Sequence, residues 1–393
     1  MDNATSGLRR LDATIALAAL AGYLSLYWSW QIGWSDFFWD FDVYQRAVAD
    51  VQLGANPYRH DAAFPFLYHP IVLYAFVLLD RFIGLTVAVT GLYAAAALLF
   101  AAGCHRFARS TAHTTGASIG VPVALALVAA ASFGQAGVQS LISANITLYL
   151  HLALIGMTLL YVDGRKPSQW YAVLAIVFVA LLVKPYFLIY ALPLWMLQRF
   201  SLHAFVSIAI ACTAAAGVYL LFWIVDRPHS MVFVEALQRQ LKMSNDTGFS
   251  FFGLATTFLT AGLAFKLHLV VAAVIGIVVL LLRRLISARD DILFLLAYVL
   301  ITFCNPRMKE YDLVPAIACL YFCLMLRGGL GRASIVFSLI VAQLPLWIEL
   351  AVGRANLSPV FVAIEFWQVS AVLLPLVICF VNGRGNSFTA KAG

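Results

Sequence analysis

The sequence predicts an all-α protein that crosses a membrane many times, and three observations lead to this fold class. The chain has 393 residues, of which 63% are hydrophobic and only 11% are charged. Soluble globular proteins are about 45–50% apolar and about 25% charged. Apolar runs also recur along the whole chain, at lengths close to the roughly 20 residues that a spanning helix needs. These features exclude a soluble enzyme, a nucleic-acid-binding protein and a disordered chain.

The apolar segments are predicted to form one helical bundle, so that residues 1–393 make a single transmembrane domain. The number of spanning helices is about 10–12, because residues 168–198 form either two spans or one re-entrant pair. The apolar pieces 69–79 and 250–262 are too short to cross. The predicted spans are 11–30, 83–104, 119–134, 144–162, 168–183, 185–198, 201–224, 265–283, 290–304, 311–326, 333–350 and 359–381.

The first span is predicted to be an uncleaved anchor with its N-terminus inside. Arg9 and Arg10 precede an apolar run that begins at Ala13. The run continues to Trp28 and Trp30, which form an aromatic belt of the kind found at membrane interfaces.

The Lys and Arg residues indicate the orientation. Cytoplasmic loops carry an excess of cations, and 14 of the 25 cations lie in predicted inside loops. The net charge of +7 therefore concerns orientation and anionic lipid. The outside cations cluster in 31–68, 226–266 and 305–312, which predicts a site on that face, although 226–266 can also be a plain solvated loop. The inside cations are Arg9, Arg10, Arg106, Arg109, Arg165, Lys166, Arg199, Arg283, Arg284, Arg289, Arg327, Arg332, Arg384 and Lys391.

The cysteines and histidines do not predict a disulfide framework or a metal site. No two cysteines have CxxC spacing, and the histidines lack the spacing of metal ligands. The cysteines are interpreted as small buried hydrophobic side chains, and no metal or cofactor is predicted. They are Cys104, Cys212, Cys304, Cys319, Cys323 and Cys379.

The first outside loop, 31–68, is predicted to contain a short amphipathic helix from Asp42 to Leu53 that ends at Gly54. Its apolar face is expected to lie on the membrane surface. The loop holds five of the eighteen acidic residues of the chain, namely Asp36, Asp40, Asp42, Asp50 and Asp61.

Several motifs resemble one known family. Asp40-Phe41-Asp42-Val43-Tyr44 is followed by Gly54-Ala55-Asn56-Pro57-Tyr58 and then by Tyr68-His69-Pro70. Together they resemble the polyprenol-phosphate-dependent glycosyltransferases of family 87, which belong to the GT-C membrane class and include the phosphatidylinositol mannoside mannosyltransferases. Lys184-Pro185 and the segment 305–312 resemble later elements of that family. The chain departs from the family pattern at His69, where Pro is usual, and at 309–311, where the family has a Trp-Asp-His form.

The resemblance implies a GT-C-type bundle in a bacterial inner membrane, with the active site facing outside. It implies transfer of a sugar, most commonly mannose, from a polyprenyl-phosphate donor to a lipid or glycan acceptor. Nucleic acid is not an expected partner, and the lipid-linked sugar is a substrate rather than a cofactor. Asp40 matches the catalytic aspartate of the family, and Asp42 is the second candidate.

The chemistry of such a transfer explains why a carboxylate is needed. The lipid phosphate is a good leaving group, so that the acceptor hydroxyl needs a general base. One carboxylate suits inversion, whereas a retaining route needs a close pair. A structural role also fits, because Asp is a favoured N-cap and acids are favoured in the first helical turn. Asp36 and Asp61 are interpreted as ordinary loop acids.

Cations at the membrane interface are candidates for binding the donor phosphate, and they are Lys184, Arg307, Lys309 and His69. Lys184 lies between two apolar runs, where an unpaired charge is costly, although a snorkelling lysine also fits. Arg307 has a planar fork suited to phosphate, or it can pair with Glu310 or Asp312. His69 can donate to phosphate or simply fill the Pro position.

Three tyrosines, Tyr44, Tyr58 and Tyr68, are candidate contacts to the sugar or the lipid, or else interfacial anchors. The sequence has no glycine-rich nucleotide loop, which favours a lipid-linked donor over a nucleotide sugar. Two other functions stay open. A secondary transporter would show inverted repeats and ionisable residues deep within spans. A surface-polysaccharide ligase or polymerase would have a large basic outside loop late in the chain.

Overall fold

The computed structural model describes residues 12–21, 38–58, 66–115, 120–242, 250–256, 258–286, 288–352, 371–372 and 375. Within these ranges 86% of the residues are helical and no strand is present, which confirms the all-α prediction there. The helices are α1 (Asp12–Ala21), α2 (Trp39–Gln52), α3 (Pro70–Ile83), α4 (Leu85–Thr115), α5 (Gly120–Ala131), α6 (Gly134–Ile142), α7 (Ile146–Gly164), α8 (Pro167–Val183), a 3₁₀ helix (Pro185–Tyr190), α9 (Ala191–Leu197), α10 (Leu202–Val225), α11 (Arg227–Lys242), α12 (Phe251–Thr256), α13 (Ala261–Leu285), α14 (Asp290–Thr302), α15 (Glu310–Met325) and α16 (Gly328–Val352).

Four of the described helices, α4, α7, α10 and α13, are long and apolar enough to cross a membrane. Three of them expose most of their apolar surface, since only 11% of the most apolar window of α10 and 17% of that of α13 are buried. Exposed apolar surface of this extent is typical of helices that contact a membrane. The further apolar helical stretches counted within the described residues have 10–17 residues, so the expected total of about 10–12 spans stays a prediction.

The centre of the bundle is formed by α14 and α15. Every residue of α14 except Asp290 is buried, and so is every residue of α15 except its first two. Helices that are apolar on all sides belong in the interior. These two pack against each other, and α15 also contacts α5, α6, α7 and α16.

Ion pairs gather at one end of the bundle. Arg106 pairs with Asp163 at 3.2 Å, and Arg283 pairs with Asp290 at 2.7 Å. Arg165 also contacts Asp290, and Arg289 contacts Asp291. The four arginines were all predicted in inside loops. The opposite ends of α7, α8 and α14 lead to Asn145, Lys184 and Asn305, so that the same helices separate the two polar ends.

The structure corrects three expectations about local structure. Helix α2 begins at Trp39 rather than Asp42, and residues 134–142, for which no element was predicted, form α6. The segment 226–266 is not a plain loop, because it contains α11, α12 and the start of α13. Several sequence features lie outside the described residues, namely Arg9, Arg10, Trp28, Trp30, Asp36, Asp61, Cys379, Arg384, Lys391 and nearly all of the span 359–381.

Candidate active site

Asp40 lies in the first turn of α2, and the backbone fixes this turn against the connection between α6 and α7. The Phe38 N–H donates to the Ile142 carbonyl at 2.7 Å, and the Asp40 N–H donates to the Ser143 carbonyl at 3.1 Å. Phe38 is the N-cap and has a left-handed backbone with φ 61°, without a side-chain cap. Asp40 therefore does not cap the helix, and the structural role that remains for it is that of an acid in the first helical turn.

The side chain of Asp40 is half-buried and is held by an amide. Asn145 Nδ2 donates to Asp40 Oδ2 at 3.0 Å. Burial raises the pKa of Asp40 to about 6, while the hydrogen bond from Asn145 and the charge of Lys184 act in the opposite direction. Asp42, the second candidate, is exposed on the same helix. Of the two carboxylates, Asp40 is thus the one held in a defined environment.

Asn145 connects Asp40 to the start of α7. Its Oδ1 accepts the Thr147 N–H at 2.9 Å, so that Asn145 is the N-cap of α7. The preceding residue, Ala144, has φ 54°, and its carbonyl accepts from Tyr93 Oη at 2.5 Å. Non-glycine residues with positive φ are uncommon and cluster at functional sites. Two of them, Phe38 and Ala144, stand beside the Asp40–Asn145 contact.

Lys184 reaches the site because the chain breaks between α8 and the 3₁₀ helix. Pro185 has no N–H, and a residue before proline disfavours the helical conformation, so Lys184 is extended with φ −146° and ψ 115°. The Leu181 carbonyl cannot receive the usual bond from residue 185. Tyr219 of α10 supplies it, donating to the Leu181 and Leu182 carbonyls at 3.1 Å each.

The side chain of Lys184 lies among aromatic rings at this break. Its Nζ donates to Tyr311 Oη at 3.0 Å. The same atom is 4.3 Å from the centre of the Tyr311 ring and 5.5 Å from that of Tyr68. Asp40, Arg307 and Lys309 are close enough to act on its charge. Three distant segments of the sequence therefore meet here.

The segment 305–312 is anchored by Asp312, which is fully buried. Asp312 Oδ1 accepts from His151 Nε2 at 3.1 Å and from Tyr186 Oη. Oδ2 accepts from Asn305 Nδ2 at 3.1 Å and from the Lys309 N–H at 2.9 Å. Four donors thus hold this carboxylate, and it fixes the backbone that carries Arg307 and Lys309.

The contacts of His69 are with the start of α3 and with aromatic rings of α10 and α11. Its Nδ1 accepts the Ile71 N–H at 3.2 Å, so that it caps α3. Its ring packs 4.0 Å from the ring of Tyr219 and 5.4 Å from that of Phe233. Burial lowers the pKa of His69 to about 4, so the ring is neutral at pH 7. The described contacts of His69 belong to helix capping and packing.

The three candidate tyrosines are buried rather than exposed at an interface. Tyr44 and Tyr58 are 0% exposed, and Tyr68 is 5% exposed. Tyr58 Oη donates to the Tyr68 carbonyl at 3.0 Å. Tyr44 packs on Phe76 and hydrogen-bonds Tyr68. They form the packed layer beneath Asp40, and of the three Tyr68 lies nearest to Lys184.

The sequence did not indicate the roles of four residues in this arrangement. They are Asn145, His151 and Tyr311, together with Asp312, which anchors the segment 305–312. A signal existed for Asn145, because Asn before an apolar helical run is an N-cap signature. His151 had no such signal, because its partner Asp312 is 161 residues away.

The chain matches no protein-family model and no curated protein. Its function is therefore inferred from this site: one half-buried carboxylate, held by an amide, beside a lysine, an arginine and a second lysine. No group of three His, Cys, Asp or Glu side chains that could hold a metal lies within the described ranges.

Proposed function

We propose that the protein is an inverting glycosyltransferase that moves a sugar, most consistent with mannose, from a polyprenyl-phosphate donor to a lipid or glycan acceptor. The observation that supports it best is the meeting of Asp40 with Lys184 and the 305–312 segment. Lys184 and Tyr311 are 127 residues apart in the sequence, and their side chains are 3.0 Å apart. A base and a group of cations side by side are what this reaction requires.

In this proposal Asp40 is the general base. The acceptor hydroxyl attacks the anomeric carbon from the face opposite the phosphate, and Asp40 takes the hydroxyl proton. The new bond joins the acceptor oxygen to the anomeric carbon as the bond from that carbon to the phosphate oxygen breaks. The electron pair of the broken bond leaves with the polyprenyl phosphate, and the configuration inverts.

The cations have the complementary role. Lys184, Arg307 and Lys309 bind the donor phosphate and stabilise the negative charge that it gains on leaving. The guanidinium of Arg307 suits two phosphate oxygens at once. His69, which is neutral and caps a helix, has no part in this step.

The surroundings suit a lipid-linked substrate. The site lies at the end of a bundle whose α10 and α13 are apolar and exposed, so that a polyprenyl tail can remain in lipid while its phosphate reaches Lys184. Following the resemblance, we place the protein in a bacterial inner membrane with this end outside. The proposal requires no metal and no nucleotide.

The proposal is tested by measuring turnover and donor binding separately in the same variants. Full-length protein in nanodiscs is given radiolabelled polyprenyl-phosphate mannose and an extract of membrane lipids as acceptors. Asp40→Asn should reduce turnover by about 10²–10⁴-fold and leave donor binding unchanged. Lys184→Met should weaken donor binding by about 1.5–3 kcal/mol.

Asp42→Asn is the matched control, because it makes the same chemical change on the exposed side of the same helix. It should alter turnover only slightly. If Asp42→Asn abolishes transfer and Asp40→Asn does not, the base is Asp42. If wild-type protein neither binds the donor nor transfers its sugar, the proposed function is wrong.

A further inference from the structure

The polar groups behind Asp40 form a continuous series of hydrogen bonds. The Ile146 N–H donates to Tyr44 Oη at 3.1 Å, and the hydroxyls of Tyr44 and Tyr68 are 3.0 Å apart. Tyr68 Oη donates to Asn145 Oδ1 at 3.3 Å, and Asn145 Nδ2 donates to Asp40 Oδ2 at 3.0 Å. The series runs from the backbone of α7 to the carboxylate.

The direction of the series is fixed by counting donors. Asn145 Oδ1 accepts from both Tyr68 and the Thr147 N–H, so this atom is the oxygen and the NH₂ group faces Asp40. Tyr68 donates its hydroxyl hydrogen to Asn145 Oδ1. The hydrogen in the bond between the two tyrosines is therefore donated by Tyr44. Every member therefore donates toward Asp40. Hydrogen bonds aligned in this way polarise one another.

We propose that this series orients the Asp40 carboxylate and keeps it ionised, which makes Tyr44, Tyr68 and Asn145 positioning residues for the base. The inference rests on the proposed function, because it assumes that Asp40 accepts a proton in the reaction. Tyr44, Tyr68 and Asn145 are at most 5% exposed, so their hydroxyl and amide groups act through Asp40 rather than on substrate. Tyr44 and Tyr68 thereby gain a role other than contact to a sugar or a lipid.

Burial raises the pKa of Asp40 and the charge of Glu310 of α15 raises it further, whereas the hydrogen bond from Asn145, which ends the series, lowers it. Lys184 and the Ser143 side chain also lower the pKa of Asp40. The uncharged titratable groups close to Asp40 are Tyr44 on its own helix, Tyr68 before α3, Tyr93 of α4 and Tyr311 of α15. Among the groups that favour the ionised form, Asn145 and Ser143 act through side-chain hydrogen bonds, and Asn145 is the one that the two tyrosines lead to.

The test is a titration of Asp40 that needs no substrate. Full-length protein in nanodiscs is studied by infrared difference spectroscopy over pH, and the carboxyl band is assigned as the one absent from Asp40→Asn. Asn145→Ser keeps an N-cap on α7 but has no amide to donate, so its midpoint should rise by about one pH unit. Tyr68→Phe should raise it less, and Tyr44→Phe least, because each lies one step further away.

Tyr58→Phe is the matched control. Tyr58 is equally buried in the same aromatic layer, but its hydroxyl bonds the Tyr68 carbonyl and lies outside the series. Its midpoint should match the wild type even if its melting temperature falls. Equal shifts in Tyr58→Phe and Tyr68→Phe would overturn the inference, and so would an unshifted Asn145→Ser. If the graded shifts appear but no sugar is transferred, the series stands and the proposed function fails.

Discussion

At the scale of single residues, Asp40 is a carboxylate whose charged form is disfavoured by its surroundings. Its carboxylate is half-buried beside Glu310, and burial raises its pKa to about 6. A carboxylate kept only for stability would be placed where its pKa is lowered, because the charged form would then favour folding. Asp40 is the reverse case. Catalytic groups are often held with their pKa near the working pH in this way.

Asp40→Asn is expected to make the protein more stable at neutral pH. In unfolded chains an Asp has a pKa near 3.9, whereas Asp40 in the fold has one of about 6. Between these values the folded state binds more protons, so the contribution of Asp40 to stability falls as the pH rises through that window. Asparagine keeps an acceptor oxygen for Asn145 but never ionises. Its melting temperature should exceed the wild-type value by roughly a few degrees at pH 7.5, and the difference should become small as the pH falls to 4.

Scanning fluorimetry of both proteins across pH 4–8 measures this difference, and Asp42→Asn serves as the control. A melting temperature for Asp40→Asn that lies below the wild-type value at pH 7.5 would show that the Asp40 charge is structural.

Single residues of the site could be predicted when their chemistry alone was informative. Asp40 and Lys184 were candidates because a carboxylate in a family-like motif and a lysine between apolar runs are unusual in themselves. The structure brings them close enough for their charges to interact, and their roles stay predictions. Asn145 could be expected as an N-cap but not as the partner of Asp40, which is 105 residues away. His151 had no signal at all, because its partner Asp312 is 161 residues away. His69 was a candidate for binding phosphate, and in the fold its Nδ1 caps α3.

At the scale of elements, the helices followed the apolar pattern closely. The predicted spans 144–162, 201–224 and 290–304 correspond to α7 (Ile146–Gly164), α10 (Leu202–Val225) and α14 (Asp290–Thr302). The failures were at polar or glycine-containing segments. The start of α2 at Trp39 depends on backbone bonds to the turn after α6, and such tertiary contacts leave no trace in local periodicity.

Helices α4 and α7 cross at two glycines, and this contact sets the distance between them. A Cβ placed on Gly156 would lie 2.6 Å from the Leu99 carbonyl oxygen and 2.6 Å from Phe100 Cα. Gly103 of α4 meets the Gly156 backbone in the same way, at 2.5 Å. Small residues allow membrane helices to approach this closely. The same helix α7 has Asn145 as its N-cap.

Gly156→Ala is expected to destabilise the protein by about 1–3 kcal/mol, because the added methyl group must push two backbones apart. Gly217→Ala in α10 is the matched control, since its added Cβ has nothing within 4 Å. That change should be neutral or stabilising by up to about 1 kcal/mol, as alanine favours helices over glycine. Denaturation in detergent, followed by circular dichroism, measures both. Equal effects of the two substitutions would mean that α4 and α7 are not in close contact.

At the scale of the whole molecule, the two ends of the bundle differ in chemistry. One end holds arginine–aspartate pairs such as Arg106–Asp163 and Arg283–Asp290. The arginines of these pairs are among the cations that the sequence predicts in cytoplasmic loops. The other end holds Asp40, Lys184 and the 305–312 segment. Exposed apolar helices lie between them, with α10 buried over only 11% of its most apolar window. This distribution fits a protein that spans lipid and carries its chemistry at one end.

The last prediction concerns which end faces outside. In a variant without native cysteines, single cysteines are introduced at Asn56, Gln238 and Ser168, all exposed. Asn56 follows α2, and Gln238 lies in α11. Both helices pack against α3, near the end of the bundle that holds Asp40 and Lys184. Ser168 lies at the arginine end. Because cations concentrate in cytoplasmic loops, an impermeant thiol reagent should label Asn56→Cys and Gln238→Cys in intact cells. Ser168→Cys should react only after permeabilisation.

The three positions also separate two kinds of error. If all three reverse their labelling, the bundle has the architecture described but is inserted with the site facing the cytoplasm, and a donor on the outer leaflet is ruled out. If Asn56→Cys and Gln238→Cys are labelled from opposite sides, α2 and α11 do not share a face. The packing that brings Asp40 to Lys184 would then be wrong, and with it the site. Labelling of only the first two in intact cells leaves one polar end outside, where a lipid-linked sugar can reach Asp40.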